Sequence, residues 1–191
     1  VEIIAGVKET EITHHELGCK FKLDVTKIMW SKGNHAERQH MIHIAKPNEI
    51  IVDMFAGISY WSIPIAKHTK VKEIIAIEKN PVSFYYLKEN IRANYISNVT
   101  PVLGDCRTAI ANLPKADRII MGYFPNTLKF LPAALKISKK GTEIHFHDIS
   151  SDINKLKKAI SKYKHLKIKT IREVKDYSPS KRHVVFDLVY K

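Results

Sequence analysis

Cysteine, glycine and acidic residues are all scarce in this 191-residue chain, and each shortage excludes something. Two cysteines, Cys19 and Cys106, cannot build a disulfide framework, which fits a reducing, cytoplasmic setting. No apolar run is long enough to cross a membrane and no secretory signal is visible, so no membrane role is expected. Of the G-x-G-x-x-G fingerprint of nicotinamide-binding folds only Gly57 is present, which argues against a dehydrogenase. Acidic residues number 19 against 32 Lys+Arg, a formal net charge of +13. Such a surplus points to a polyanionic partner, nucleic acid above all, with a lysine-rich, heat-adapted surface as the plainer explanation. The 45% of hydrophobic residues suffices for one domain with a small appendage. Val rather than Met at the first position is taken as the sign of a trimmed or partial chain.

The stretch Ile50 to Trp61, IIVDMFAGISYW, organises the rest. An apolar run reaches Asp53, turns through Phe55-Ala56-Gly57, and is followed by Ser62-Ile63-Pro64-Ile65-Ala66-Lys67, a first helix. A buried strand, a small-residue loop and a helix make the opening unit of a nucleotide-binding α/β sheet, with Gly57 admitting a ligand close to the backbone. Lys72 to Glu78 reads as the second strand, and its closing acid lies 21 residues beyond Gly57. That is near the ~20 expected of a residue that binds ribose hydroxyls. Asn80-Pro81 caps a helix to about Ala93, whose Phe84-Tyr85-Tyr86-Leu87 cluster reads as packing. Strand Val99 to Leu103 ends in Gly104-Asp105-Cys106, where Asp105 can meet an adenine amino group, cap the helix through Asn112, or do both.

Upstream, Val1 to Val7 and Lys20 to Val25 alternate, with Gly18 between them, and read as two or three short strands. His14, His15 and Cys19 lack a second pair at zinc spacing, so no metal is expected. Asn34 with Glu37 is a near capping box for a helix from His35 to Ala45 that carries Arg38; with Ser31, Arg38 can reach an anionic ligand group. Downstream come strand Ala116 to Met121, the turn Gly122-Tyr123-Phe124-Pro125-Asn126-Thr127, a helix from Thr127 to Ser138, and strand Thr142 to His147. Ser150-Ser151-Asp152 caps a lysine-rich helix to about Tyr163, and the runs Leu166 to Tyr177 and His183 to Tyr190 close as a hairpin.

Acids after the second and third strands, a glycine loop after the first and a terminal hairpin fit a class I S-adenosylmethionine-dependent transferase. Residues 20 to 191 resemble the archaeal and eukaryotic tRNA enzymes that act on the purine 3′ of the anticodon. These are the guanosine N(1)-methyltransferases and the related wybutosine-pathway aminocarboxypropyltransferases. The resemblance rests on Met29-Trp30-Ser31, Glu37-Arg38, Val52-Asp53-Met54-Phe55-Ala56-Gly57 and Ser62-Ile63-Pro64. Glu78-Lys79-Asn80-Pro81, Gly104-Asp105-Cys106 and the hairpin from Ser178-Pro179 to His183-Val184-Val185 complete it. Ile58-Ser59-Tyr60-Trp61 after the glycine and Gly122-Tyr123-Phe124-Pro125-Asn126-Thr127 after the fourth strand resemble the aminocarboxypropyltransferase branch.

The resemblance implies an α/β class I methyltransferase Rossmann-like fold. Its mostly parallel seven-stranded sheet would carry a C-terminal antiparallel hairpin and a small N-terminal β extension. Residues 1–30 are expected to be that β-rich extension and residues 31–191 the S-adenosylmethionine-binding catalytic domain. It further implies transfer of a 3-amino-3-carboxypropyl group to 4-demethylwyosine in phenylalanine tRNA by a monomer. Guanosine N(1)-methylation and a non-catalytic RNA-binding scaffold are the alternatives. The expected cofactor contacts are Ser31, Arg38, Asp53, Phe55 and Ala56, then Gly57, Glu78, Lys79, Asp105 and Cys106. Arg38, helped by Ser31, is expected to hold the methionine carboxylate. Tyr60, Trp61, Tyr123 and Phe124 are candidate stacking surfaces for the base. Tyr123 is the catalytic candidate, with His145 and His147 as further proton acceptors. Lysines of the Ser151 to Tyr163 helix, with Lys181 and Arg182, are candidates for phosphate contacts.

Overall fold

The computed structural model describes residues 6 and 8–191, so the strand expected over Val1 to Val7 falls, Gly6 apart, outside the described residues. The described chain opens on an antiparallel hairpin, β1 (Glu11–Glu16) and β2 (Cys19–Asp24), whose turn places Leu17 and Gly18 at positive φ. There follow α1 (His35–Ile44), β3 (Ile50–Asp53), α2 (Ser62–His68), β4 (Glu73–Glu78), α3 (Pro81–Ala93) and β5 (Val99–Leu103). Then come α4 (Cys106–Ala109), β6 (Ala116–Met121), α5 (Leu131–Lys136), β7 (Ser138–Ser150), α6 (Ile153–Ile160), β8 (Leu166–Ser178) and β9 (Lys181–Tyr190).

The last seven strands form one sheet in the order β5-β4-β3-β6-β7-β9-β8. The strands from β3 to β7 run parallel; β9 is antiparallel to β7, and β8 to β9. Because side chains alternate across a strand, the apolar runs supply two cores at once. Val52, Ile75, Ile77, Ile119 and Met121 face α4, α5 and α6, whereas Ile51, Ile74, Ala76 and Ile120 face the other layer. That second layer includes Phe21 and Leu23 of the hairpin and Met41, Ile63 and Leu87 of the first three helices. Each fully buried aliphatic side chain contributes about 1.5–3 kcal/mol relative to exposure. The outer strand β8 carries Lys167, Lys169, Arg172, Glu173, Lys175 and Asp176 together with register shifts, which blunt it as an edge.

The hairpin docks on α3 through two asparagines one turn apart. Asn90 accepts from Lys22 N at 2.6 Å and donates to Lys22 O at 3.1 Å; Asn94 does the same to Lys20 at 2.8 and 2.7 Å. Four helical residues advance ~6 Å, close to the ~6.6 Å between alternate strand residues, so the amides match the peptide groups.

Two local expectations fail for stated reasons. The helix expected over Thr127 to Ser138 is a 3-10 turn, Thr127–Phe130, followed by α5, because Pro132 can enter a helix only in its first turn. Asn34 precedes α1 but its side chain makes no cap bond, and Glu37 turns instead to Arg172. Asn80, Asp105 and Asp152 do cap their helices, each accepting from a backbone amide of the first turn.

Candidate functional site

A parallel sheet of this order leaves a crevice at the C-terminal ends of β3 and β6, where the chain reverses its direction of travel across the sheet. The loop after β3 enters it with Gly57 at φ +58, and a Cβ there would lie 2.5 Å from the Tyr60 ring, so glycine is required. Glu78, at the end of β4, holds this loop by accepting from Gly57 N at 2.8 Å and from Asn80 N at 2.6 Å. Each carboxylate oxygen keeps a second lone pair for a ligand hydroxyl.

Asp53 corrects an expectation. It is fully buried below the loop, accepting from Ser62 Oγ at 2.8 Å and Phe55 N at 3.3 Å, and lines neither cavity of the crevice. Burial pushes its carboxyl up to about 7. It braces strand, loop and helix against each other. Ala56, also fully buried, is likewise absent from the crevice walls.

Two cavities open side by side and share Ser83 and Gly122. The first, about 350 Å³, is walled by Phe55, Glu78, Lys79, Asp105, Cys106 and Tyr123, with Asn80 and Phe130 added. Tyr123 stacks on Phe55 at 4.9 Å and meets Phe130 edge-on at 5.6 Å. Although 42% exposed, Tyr123 thus serves as a wall of this cavity, and the second cavity is lined without it. Asp105 caps α4, and the Arg107 side chain grips both its oxygens while the exposed Lys79 adds a bond at 3.1 Å. The Arg107 bonds hold its carboxyl well below the usual range. Burial pushes the Cys106 thiol up to about 11, so it is an inert wall.

The second cavity, about 240 Å³, is lined by Ser31, Arg38, Gly57, Tyr60, Trp61, Phe124 and His147, among others. Arg38 is 1% exposed and forks onto Glu16 of β1 at 2.5 and 3.0 Å, with a further bond to Ser31 O at 3.2 Å. The expected free carboxylate clamp is therefore already paired; among the described residues only its Nη1 lacks a partner. Ser31 Oγ accepts from Lys175 Nζ at 2.6 Å. Tyr60 donates to Met29 O at 2.6 Å, burial pushing its phenol up to about 12, and acts as a strut across the mouth. Trp61 fills the junction: a Cβ on Gly122 would lie 2.6 Å from its Nε1.

The loop after β6 is set by Asp148 of β7, which accepts from Asn126 N at 3.1 Å and Thr127 N at 3.0 Å. His147 lines the second cavity, but His145 does not. His145 is held between Asp187, at 2.7 Å, and Arg118, at 2.6 Å, inside a buried chain of charges. That chain runs from Glu49 through Arg118 and Asp187 to Arg172 and Glu37, so His145 is structural. His14 and His15 join no metal site: among the described residues no three His, Cys, Asp or Glu side chains converge on a common point. No helix among the described residues is long and apolar enough to cross a membrane.

Sheet order, glycine loop, acid-ended strands and paired cavities define a class I methyltransferase-like protein. The TRM5/TYW2 methyltransferase domain family matches residues 12–175, and the chain belongs to that family. It is 44% identical to a tRNA(Phe) (4-demethylwyosine(37)-C(7)) aminocarboxypropyltransferase of Methanocaldococcus jannaschii, over all of this chain and 79% of that protein. It is 33% identical to the tRNA (guanine(37)-N(1))-methyltransferase Trm5b of Pyrococcus abyssi, over 96% of this chain and 57% of that protein. The crystal structure of M. jannaschii TYW2 in complex with AdoMet superposes with a TM-score of 0.87 at 44% identity, covering 100% of this chain and 90% of that one.

Proposed function

We propose that this protein transfers the 3-amino-3-carboxypropyl group of S-adenosylmethionine to carbon 7 of 4-demethylwyosine in tRNA(Phe). The observation that carries this choice over N(1)-methylation is the junction of Gly122 and Trp61. The indole occupies the room that a side chain after β6 would need, at the point where the two cavities meet. The greater identity to the aminocarboxypropyltransferase than to the methyltransferase supports the same reading.

The residues fit the substrate in two parts. Glu78 would take the ribose hydroxyls, and the slot between Phe55, Cys106, Tyr123 and Phe130 would take the purine. The methionine tail would enter the second cavity, towards Arg38 Nη1 and Ser31. A sulfonium makes the attached γ-carbon electrophilic, and displacement there leaves 5′-methylthioadenosine. What the chain supplies is position: Trp61 and Tyr60 keep the tail extended and dry, and Phe124 offers a face to the acceptor base. No oxyanion develops, so in-line placement matters more than a charge-stabilising pocket. Residues 31–191 would carry this chemistry, with the β1–β2 hairpin lending Glu16 to hold Arg38 in place. Exposed lysines of α6 would meet phosphates of the RNA.

S-adenosylmethionine labelled in the methyl or in the carboxyl carbon decides the matter on tRNA(Phe) bearing the tricyclic precursor. Carboxyl label on the RNA with release of 5′-methylthioadenosine is expected. Methyl label with S-adenosylhomocysteine would make the protein a methyltransferase.

A further inference from the structure

We propose that His147, backed by His183, receives the proton that leaves carbon 7 of the acceptor base. The inference rests on the transfer reading above and deepens it. His147 and Val185 are register partners in β7 and β9, which puts His183, two residues before Val185, diagonally beside His147 on one face of the sheet. Their Nδ1 and Nε2 atoms are 3.1 Å apart, and the two side chains are 1% and 0% exposed. Trp61 packs on His147 at 5.2 Å and Phe124 on His183 at 4.8 Å, and both aromatic residues line the second cavity, as His147 does.

Among the described residues the outer nitrogens, His147 Nε2 and His183 Nδ1, find no hydrogen-bond partner, and both are buried. One shared hydrogen bond between two imidazoles needs one N–H and one lone pair, so one outer nitrogen must carry a hydrogen and the other a lone pair. With the shared hydrogen on His147 Nδ1, the lone pair falls on Nε2, in the residue that lines the reaction cavity. Unpaired buried nitrogens are unfavourable and are kept where they serve a ligand.

The chemistry asks for such a group. Carbon 7 bonds to the γ-carbon as the carbon–sulfur bond breaks, its electron pair staying on sulfur as a neutral thioether. The tricyclic ring then holds the positive charge until its carbon 7 hydrogen leaves as a proton and the C–H electron pair returns to the ring. That ring cation is a strong carbon acid, so a weak neutral base suffices, while a protonated one would repel both sulfonium and ring. Burial first, then His183, His145 and Arg172, keeps His147 well below its usual pKa, hence neutral near pH 7, with Asp187 opposing. Burial and Lys175 bring His183 down to about 4 against the opposing pull of Glu37. A proton taken at Nε2 is shared through Nδ1–H with His183.

The test uses the full chain, S-adenosylmethionine, and tRNA(Phe) carrying the precursor with hydrogen or deuterium at carbon 7. His147→Gln should lower kcat by about 10²–10⁴-fold and bring out a primary isotope effect larger than wild type's, while calorimetric affinity for S-adenosylmethionine stays within about threefold. His183→Asn, whose amide oxygen can still accept from His147 Nδ1, should retain more activity than His183→Leu. An unchanged kcat in His147→Gln, or a lowered one with no change in isotope effect, overturns the proposal. Should His147→Gln fail to bind S-adenosylmethionine, equal rates and isotope effects in the two His183 variants overturn it instead. Wild-type protein that releases no 5′-methylthioadenosine overturns the transfer reading itself.

Discussion

Gly122→Ala puts the junction of the two cavities under direct test. The added Cβ would lie 2.6 Å from Trp61 Nε1 and 3.5 Å from Cδ1 and Cε2. Carbon and nitrogen rest at roughly 3.5 Å, so the indole must retreat by about 1 Å. It has little room, being 4% exposed and packed on His147. Overpacking of this kind costs about 1–3 kcal/mol, and a domain of this size loses roughly 2–4 °C per kcal/mol, so Tm should fall by roughly 2–12 °C. A shift of the indole into the second cavity by the same energy lowers transfer by about 5- to 150-fold, at about 1.4 kcal/mol per decade. Trp61→Phe removes the edge that carries Nε1, so the double variant should recover more than half of what Gly122→Ala alone loses. Scanning calorimetry and 5′-methylthioadenosine release, read as a double-mutant cycle, give the coupling. Strict additivity, within about 0.5 kcal/mol, would refute the contact as the source of the effect.

Asn90→Leu leaves Lys22 N and O and Ile58 O without their side-chain partner, and should cost about 2–4 kcal/mol in urea denaturation with faster amide exchange at Lys22; a loss under about 0.5 kcal/mol would contradict the docking role. Asp53 sits at about 7 when folded and near ~3.9 when unfolded, so the folded state holds the extra proton and stability falls as pH rises from about 4 to about 7. Asp53→Asn removes that slope: its stability relative to wild type should climb across this window and level off above it, and parallel curves would refute the buried carboxyl. Arg118→Met strands the buried Glu49, both of whose oxygens Arg118 binds at 2.9 Å, and should cost about 3–5 kcal/mol, whereas a near-neutral result would mean that acid is reached by water.

Much of this fold was legible because apolar runs were short, bounded by Gly, Pro and Asn, and ended in acids where a parallel strand delivers its ligand contacts. Ile50–Asp53, Glu73–Glu78, Val99–Leu103 and Ala116–Met121 all lie where the run of isoleucines and valines put them. The residues that misled were those whose meaning depends on a distant partner. Arg38 reads as a free cation next to a glycine loop, yet Glu16 reaches it from 22 positions away. Glu37 reads as half of a capping box, and Arg172, 135 positions on, claims it. Asp53 carried the ligand signature of its motif, yet Ser62 and the Phe55 amide bind its carboxylate in a fully buried position. His145 and His147 looked interchangeable, since both face the same side of β7; two residues of strand rise place one beside Arg118 and the other beside the cavity. Asn80 and Phe130 were visible only as a cap and a helical residue, because the walls of a cavity come from four separate loops and leave no local pattern.

The two asparagines of α3 have a consequence for how freely the molecule can change. Asn90 and Asn94 hold β2 through the peptide groups of Lys20 and Lys22, which every amino acid except proline presents alike. The helix reads the strand as backbone and takes no notice of which side chains point away from it. Outward positions of that strand are thus free to drift and to gain or shed charge, while Phe21 and Leu23 stay fixed in the core. The two amides make an adaptor socket for a backbone, and the side chains that choose which strand fills it are Phe21 and Leu23 in the core and Glu16 on Arg38.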